Sequence, residues 1–169
     1  IPKIKQETFA TLKQQARLQI ESKGLSQPKF EVINPQLAGF GLTLLPPPSP
    51  LDVYFDMEGF PLMDGGLEYL FGATIIEAGE RAFKDWWAHN PNEEKAAFEA
   101  FVTWAHDRWK QDTRMHIYHY AAYEKTALRR LMGKYGTRES EVDDLLRNEV
   151  FVDLYSVVRQ AIKIGEPKY

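Results

Sequence analysis

The sequence predicts an α/β fold, a mixed five-stranded sheet flanked by helices, with a helical extension before it. Short apolar segments bounded by turn residues predict the strands, and apolar residues at three- and four-residue spacing predict the helices. After residue 50 the predicted order is three strands, a helix, a strand, a helix, a strand and a helix. Because helices separate the later strands, we expect parallel neighbours beside an antiparallel meander, which makes the sheet mixed.

Composition limits the functional classes. With 169 residues, 44% of them hydrophobic, the chain is long enough for one compact domain and an appendage. It has no cysteine, which excludes disulfides, thiolate metal ligands and a cysteine nucleophile. No apolar run approaches the roughly 20 residues of a membrane span, so we expect a cytoplasmic protein without a membrane partner. The net charge of -3 argues against nonspecific nucleic-acid binding over the whole surface.

The first 50 residues are predicted to be a helical connector followed by a proline-rich linker. Four apolar residues at helical spacing predict a helix over residues 5–22: Phe9, Leu12, Ala16 and Ile20. Residues 30–34 predict a short strand. The prolines of the segment LPPPSP exclude a helix or a central strand there. We therefore expect the domain itself over residues 51–169.

Within that domain, strands are predicted at 51–59, 67–79, 81–86, 115–120 and 150–156, and helices at 90–109, 122–136 and near 157–162. Asn90 and Glu93 form a capping pattern at the start of the first of these helices. Five apolar residues trace its buried face: Ala97, Phe98, Phe101, Ala105 and Trp109. Residues 138–149 form a polar, acidic connection.

Two carboxylates lie on the first predicted strand of the domain. Asp56 and Glu58 are two residues apart, so both side chains leave the same face of the strand. Adjacent carboxylates repel each other unless a cation neutralises them, and Mg²⁺ or Mn²⁺ is the usual cation for hard oxygen ligands. The alternative is a solvated acidic strand end. The apolar residues around the pair favour the metal site, because an ionised carboxylate in apolar surroundings needs a partner.

Three further groups of residues have both a functional and a structural interpretation. The basic residues Lys125, Arg129 and Arg130 either contact a nucleic-acid backbone or form a solvated helix face. The four tryptophans either stack on bases or pack in a core or interface, and we expect packing. His116 and His119 alternate on a predicted strand, but two histidines without a third ligand do not predict a zinc site.

The acid pair and a second motif resemble those of DEDD-type 3′–5′ exonucleases, which have an RNase H-like fold. The segment FDMEG carries D-x-E inside the first strand, and HYAAYE is similar to the second motif of that superfamily, H-N-x-x-F-D. The resemblance places Glu124 at the acidic position of that motif and Tyr120 at its Asn. Glu124 is one methylene longer than the Asp of the family, and Tyr120 lacks the amide.

Four motifs in order resemble the RNase H-like domain of the predicted RecB-family nucleases: LPPPSPLDVYFDMEG, GLEYLFG, YHYAAYEKTALRRL and VFVDLYSVVRQAI. This resemblance implies that the first 50 residues connect the domain to other domains of a longer polypeptide. DEDD enzymes carry a last acidic residue on a C-terminal helix, and no counterpart precedes Tyr169. We therefore expect the domain to be truncated at its C-terminus and this chain to cut weakly or not at all.

The resemblance implies a nuclease that hydrolyses phosphodiester bonds of DNA or RNA with two divalent cations, Mg²⁺ or Mn²⁺. The implied catalytic residues and metal ligands are Asp56, Glu58 and Glu124. Three residues are expected beside them: Asp153, His119 and Tyr120. The alternative is a catalytically silent RNase H-like module that binds nucleic acid or a neighbouring domain. Convergence of the three acids favours the enzyme, whereas a Glu124 that points elsewhere favours the module.

Overall fold

The structure, a computed structural model, describes residues 4–33 and 38–166. The helices are α1 (Gln6–Ser22), α2 (Pro91–Gln111), α3 (Tyr123–Tyr135), α4 (Glu139–Arg147) and α5 (Leu154–Ala161). The strands are β1 (Phe30–Val32), β2 (Val53–Phe60), β3 (Leu67–Glu77), β4 (Glu80–Trp87), β5 (Ile117–His119), β6 (Phe151–Asp153) and β7 (Ile162–Ile164). A short 3-10 helix spans Gly41–Leu44. The chain divides into two compact units, of which the second is Pro46–Tyr155 and the first holds the remaining described residues.

The second unit is built on a five-stranded sheet in the order β4-β3-β2-β5-β6. The central strand β2 is antiparallel to β3 and parallel to β5. At the two sides, β4 is antiparallel to β3, and β6 is parallel to β5. Short turns join the antiparallel strands, whereas helices join the parallel ones, because a parallel neighbour requires the chain to cross back over the sheet. The predicted mixed sheet, with the strand of the acid pair at its centre, is confirmed.

Helix α2 provides much of the core of the second unit. The side chain of Asn90 accepts hydrogen bonds from the backbone N–H groups of Asn92 and Glu93, which confirms the predicted cap. The predicted apolar face is buried at Ala97, Phe98, Phe101 and Ala105 and packed against the core at Trp109. The ring of Phe101 stacks on that of Phe55 from β2, with 4.0 Å between ring centroids. One face of the sheet is therefore closed by aromatic and aliphatic packing.

The connection predicted over residues 138–149 contains a helix that the sequence analysis missed. Helix α4 buries Val142 and Leu145, which are three residues apart and so share one face. The acidic residues between them are exposed at Asp143 and Asp144. Its apolar face is only two residues wide in a segment rich in charge, so the pattern is too short to distinguish a helix from a polar loop.

The first unit combines α1 with a two-stranded sheet in which β1 is antiparallel to β7. The predicted helix over residues 5–22 is confirmed, and the face whose apolar spacing predicted it is exposed to solvent. Four residues of that face are exposed: Phe9, Leu12, Ala16 and Ile20. Leu18 is buried instead, and its backbone and Ser22 lie so close to Gly165 that a Cβ there would clash. Helical spacing identifies a helix but not the surface on which it packs.

The strand predicted over 30–34 appears as β1, although residue 34 lies outside the described residues. Its partner β7 was not predicted, because three residues after a helix give no periodic signal. The residues from Ser156 on group with the first unit. The predicted domain boundaries, 1–50 and 51–169, stay a prediction. Among the described helices, none combines the length and the apolar character that crossing a membrane requires.

Candidate active site

The acid pair lies on the uncovered face of the central strand. Along β2 the side chains of Val53, Phe55 and Met57 are buried, and those of Asp56 and Glu58 are exposed. This alternation follows from the strand period of two residues, because the apolar residues must face α2 and the core. The structure therefore places Asp56 and Glu58 on one face of the strand, as the sequence predicts. It exposes both to solvent, as the alternative of a solvated acidic strand end predicts.

A β-bulge follows the pair. The register between β2 and β3 shifts between Glu58 and Gly59, and a bulge changes the direction of the side chains around it. A Cβ at Gly59 would overlap the Tyr123 hydroxyl and lie 2.7 Å from a carboxylate oxygen of Glu68. Glycine is therefore required for this close approach. At the other acid, Asp56 Oδ1 accepts a hydrogen bond of 3.0 Å from the Met57 backbone N–H.

Glu124 occupies a different environment from the acid pair. It is 3% exposed, and its carboxylate lies 3.2 Å from Nδ1 of His119, which is also buried. His119 shares a strand face with Ile117, which pairs with the buried Val53, so its side chain leaves the sheet on the covered face. The structure thus brings two of the predicted site residues, His119 and Glu124, together.

The fit of a divalent cation can be judged from these positions. Within residues 4–33 and 38–166, no three His, Asp or Glu side chains are gathered as a metal ligand set. Asp56 and Glu58 alone offer two hard oxygen ligands on an open surface. Mg²⁺ commonly binds through one or two carboxylates, with water and substrate phosphate completing its coordination. The pair therefore fits one hydrated ion, and the described residues do not form the two-ion set that includes Glu124.

An open cavity of about 560 Å³ adjoins Glu58 and contains a residue that the sequence analysis missed, Glu68. It is called the polar cavity for the three charged residues in its otherwise largely apolar wall. Its walls include Glu58, Gly59, Glu68, Tyr123 and Arg130. The buried carboxylate of Glu68 accepts hydrogen bonds from the Tyr123 hydroxyl at 2.9 Å and from the Arg130 guanidinium at 2.5 Å. A single acid in an apolar strand was the available signal, since such a carboxylate needs partners. What the sequence could not supply was the identity of those partners.

Tyr123 stays protonated beside the Glu68 carboxylate. Burial, followed by the bond to the Glu68 carboxylate, raises the pKa of Tyr123 to about 12. Both effects disfavour a phenolate, which would be a second negative charge next to Glu68. The Tyr123 hydroxyl therefore remains a hydrogen-bond donor at neutral pH and holds Glu68 to α3.

A second buried acid, Glu94, contacts the backbone of Glu68. Its carboxylate accepts hydrogen bonds from Lys134 Nζ at 2.6 Å, from the Tyr135 hydroxyl, and from the Glu68 backbone N–H at 2.5 Å. Burial opposes its ionisation, but these bonds outweigh burial, so the pKa of Glu94 lies below its usual value. The start of β3 is thereby tied to both α2 and α3 through charged groups.

The remaining predicted residues lie around this region in supporting positions. Asp153 accepts hydrogen bonds from the backbone N–H groups of Ala121 and Tyr155, so it caps the chain where β5 and β6 end. Tyr120 is half-exposed and packs edge-on against Tyr155, with 5.5 Å between ring centroids. His119 has one ring nitrogen, Nε2, that is buried without a hydrogen-bond partner among the described residues.

The predicted basic patch separates into residues with different surroundings. Arg130 forms a salt bridge with the buried Glu68 and lines the polar cavity. Arg129 is exposed, and Lys125 is partly buried. Only Arg130 is therefore placed beside the acid pair by the contacts of its side chain.

Comparison with known proteins gives one match. A family model described as the RNase_H superfamily matches residues 53–167. The matched segment begins with β2 and includes the acid pair, the polar cavity and the His119–Glu124 pair. No curated protein and no solved structure matches the chain.

Proposed function

Because the chain belongs to the RNase_H superfamily, whose domains are often nucleases, we propose that it is a metal-dependent nuclease. It hydrolyses phosphodiester bonds of DNA or RNA, with the 3′–5′ exonuclease-like action that its resemblance to DEDD enzymes and RecB-family nucleases implies. One observation carries the proposal: Asp56 and Glu58 lie together on the exposed side of the central strand, whose other side is core. A pair of carboxylates at that place has no role in packing.

In this proposal the acid pair holds a divalent cation, Mg²⁺ or Mn²⁺, against the substrate phosphate. The chemistry that such a cation supplies is charge stabilisation at the phosphate and activation of water. Asp56 is oriented for this role by the bond from the Met57 N–H, and Glu58 by the bulge at Gly59. The network of Tyr123, Glu68 and Arg130 keeps that bulge against α3.

The role of Glu124 as a ligand, and with it a second metal ion, stays a prediction. Its buried bond to His119 supports a different role, in which the pair fixes the start of α3 against β5. A carboxylate in the first turn of a helix also interacts favourably with the helix dipole. The variant Glu124→Gln separates the two roles. A ligand role predicts weaker Mn²⁺ binding, and a supporting role predicts a lower free energy of unfolding with unchanged Mn²⁺ affinity.

The test of the proposal is cleavage of 5′- and 3′-labelled single strands of DNA and RNA with Mn²⁺, with the Mn²⁺ affinity measured by calorimetry. Asp56→Ala should reduce the rate by more than roughly 100-fold, since even residues that only support metal ligands account for 10- to 100-fold. The matched control is Asp64→Ala, an exposed acid in the turn between β2 and β3. Because this chain is expected to cut weakly or not at all, the Mn²⁺ affinity decides where no cleavage is detected. Equal Mn²⁺ affinities for wild type and Asp56→Ala would exclude the assigned site.

A second candidate is a catalytically silent module that binds nucleic acid or a neighbouring domain. The placement of Glu124 favours it, because the three predicted acids are not gathered within the described part of the chain. This candidate predicts that Asp56→Ala binds an oligonucleotide as tightly as wild type at every Mn²⁺ concentration. The nuclease predicts that Asp56→Ala weakens Mn²⁺-dependent binding of the oligonucleotide, because Asp56 would be one of the residues that hold the ion.

A further inference from the structure

An aromatic cavity of about 450 Å³ lies at the end of strands β2, β3 and β4. It is lined by Phe60, Leu67, Tyr69, Trp87, Ala88 and His89. Two of its large side chains remain uncovered, since Trp87 is 52% and Phe60 is 46% exposed. The predicted packing of the tryptophans is confirmed in the core for Trp86 and Trp104, which pack against the buried cluster. Trp87, by contrast, is left facing solvent beside this cavity.

The rings in the cavity wall lie nearly parallel. Trp87 and Tyr69 have ring planes 28° apart with centroids separated by 6.2 Å. Trp87 and His89 have planes 14° apart with centroids separated by 6.5 Å. Because about half of the Trp87 side chain is exposed, its ring offers a flat surface to a heteroaromatic group. Such a surface suits a planar π-system better than it suits a branched aliphatic chain.

The aromatic cavity adjoins the polar cavity of Glu58. The two share Phe60 and Leu67 in their walls. Glu58 is paired with Leu70, and Leu70 is paired with Trp87, so the three residues form one row across the sheet. With a strand spacing of about 4.8 Å, the backbones of Glu58 and Trp87 are about 10 Å apart. A phosphodiester held at the acid pair would thus have its neighbouring base within reach of the aromatic wall.

We propose that the aromatic cavity is a base-binding pocket, in which one unpaired nucleobase of the substrate strand stacks on Trp87 beside Phe60. This inference rests on the proposed function, because it takes the acid pair as the place where the phosphodiester is held. The sugar-phosphate passes the polar cavity, where Arg130 is the cationic donor. Stacking on an aromatic face does not require a particular base, so the pocket tolerates sequence changes but requires a base that is not paired.

The test combines protein and substrate changes. Binding of labelled single-stranded DNA is measured by fluorescence anisotropy with Ca²⁺, which neutralises the acid pair, and gels verify that the strand stays intact. A set of oligonucleotides carries one abasic site at successive positions. In wild type, the abasic site at one position should lower the affinity roughly tenfold, because one stacked base is lost. In Trp87→Ala an abasic site at that position should lower the affinity no more than one at any other position. In Trp87→Phe most of the position-specific loss of affinity should return.

The matched control is Phe83→Ala, since Phe83 lies on the same strand and is 62% exposed but lines neither cavity. The affinity of Phe83→Ala for single-stranded DNA should stay within about twofold of wild type. An abasic site at the sensitive position should lower that affinity as much as it does in wild type. If Phe83→Ala weakens binding as much as Trp87→Ala, or if no abasic position depends on Trp87, the pocket is excluded. Cleavage that requires Asp56 but not Trp87 would overturn this inference alone. A Trp87-dependent abasic effect, together with a Mn²⁺ affinity that Asp56→Ala leaves unchanged, would uphold the pocket and overturn the proposed nuclease.

Discussion

The two faces of the central sheet differ in their environment: one is packed against the core, and the other is exposed to solvent. On the covered face, Phe55 stacks on Phe101 in a core that excludes water. On the other face, Asp56 and Glu58 are exposed, and so is Phe83 of β4, whose ring lies over Gly72. Covered positions contribute to stability through buried area, whereas exposed positions contribute little to it and are available for chemistry.

The acids of the second unit show the same division. Glu68 and Glu94 are buried, and each is satisfied by a cation and a tyrosine hydroxyl. Glu58 has no hydrogen-bond or salt-bridge partner among the described residues and lines a cavity. A buried carboxylate with several partners is a structural element, because removing a partner leaves an uncompensated charge. An exposed carboxylate beside another carboxylate is costly only when no cation is present, which makes it a candidate for binding one.

The largest effect on stability is expected for Phe101→Ala. Phe101 is fully buried and contacts the rings of Phe55, Phe71 and Trp86. Its truncation should lower the free energy of unfolding by about 3–5 kcal/mol, because it removes apolar contacts and leaves a cavity. Urea unfolding followed by circular dichroism measures the change. Phe83→Ala, on the other face, should stay within about 0.5 kcal/mol of wild type. Similar losses for the two variants would mean that the faces do not differ as described.

The next largest effect is expected for Lys134→Met. This change keeps the apolar stem of the side chain but removes the ammonium group that donates to the fully buried Glu94. The free energy of unfolding at pH 7 should fall by about 2 kcal/mol, since hydrogen bonds to charged groups are stronger than neutral ones and the carboxylate is left short of a partner. Lys110→Met, at an exposed position of α2, should change it by no more than about 0.5 kcal/mol.

The pH dependence of this buried pair follows from the same contacts. The pKa of Glu94 in the folded state lies below its value in the unfolded chain. Its stabilising contribution is therefore complete above the unfolded pKa of about 4.3 and is lost as the pH falls through the lower folded pKa. The free energy of unfolding, measured between pH 7 and pH 3, should fall less steeply with decreasing pH in Glu94→Gln than in wild type. In Glu80→Gln, at an exposed position, the free energy of unfolding should fall with decreasing pH as steeply as in wild type.

A smaller effect, with an opposite sign in its control, is expected at two glycines. Gly59→Ala adds a methyl group that would overlap the Tyr123 hydroxyl and crowd Glu68, so it should lower the free energy of unfolding by about 1–2 kcal/mol. Gly133→Ala, within α3, adds a methyl group into open space and should raise it by about 0.5–1 kcal/mol. Thermal unfolding distinguishes the two. If both substitutions stabilise, the close contact at the bulge is not maintained in solution.

The smallest effect on stability, and the largest on activity, is expected for Asp56→Asn. The side chain is exposed, and its hydrogen bond from the Met57 N–H can be kept by the amide oxygen. The free energy of unfolding should change by no more than about 0.5 kcal/mol, while Mn²⁺ binding and Mn²⁺-dependent cleavage are lost. Calorimetric Mn²⁺ titration and urea unfolding of the same preparation measure both quantities. A large loss of stability would place Asp56 among the structural acids instead.

The central sheet could be predicted because local patterns determined it. Strand alternation placed Asp56 and Glu58 on one face opposite Phe55 and Met57, and helical crossovers required the parallel neighbours. The cap at Asn90 likewise follows from residues next to each other in the chain. Each of these features depends on a period or on a contact between near neighbours. Such features can be read without knowledge of the fold.

Only the tertiary structure decided which carboxylates have hydrogen-bond partners and which are exposed to solvent. Glu68 and Arg130 are 62 residues apart, and Glu94 and Lys134 are 40 residues apart, so no local pattern links them. Glu124, which the resemblance groups with the acid pair, is buried within hydrogen-bond distance of His119, and its role as a ligand stays a prediction. Whether a charged side chain is a ligand or a structural partner depends on what folding brings within hydrogen-bond distance. That depends on long-range packing, which the sequence of a single strand or helix does not contain.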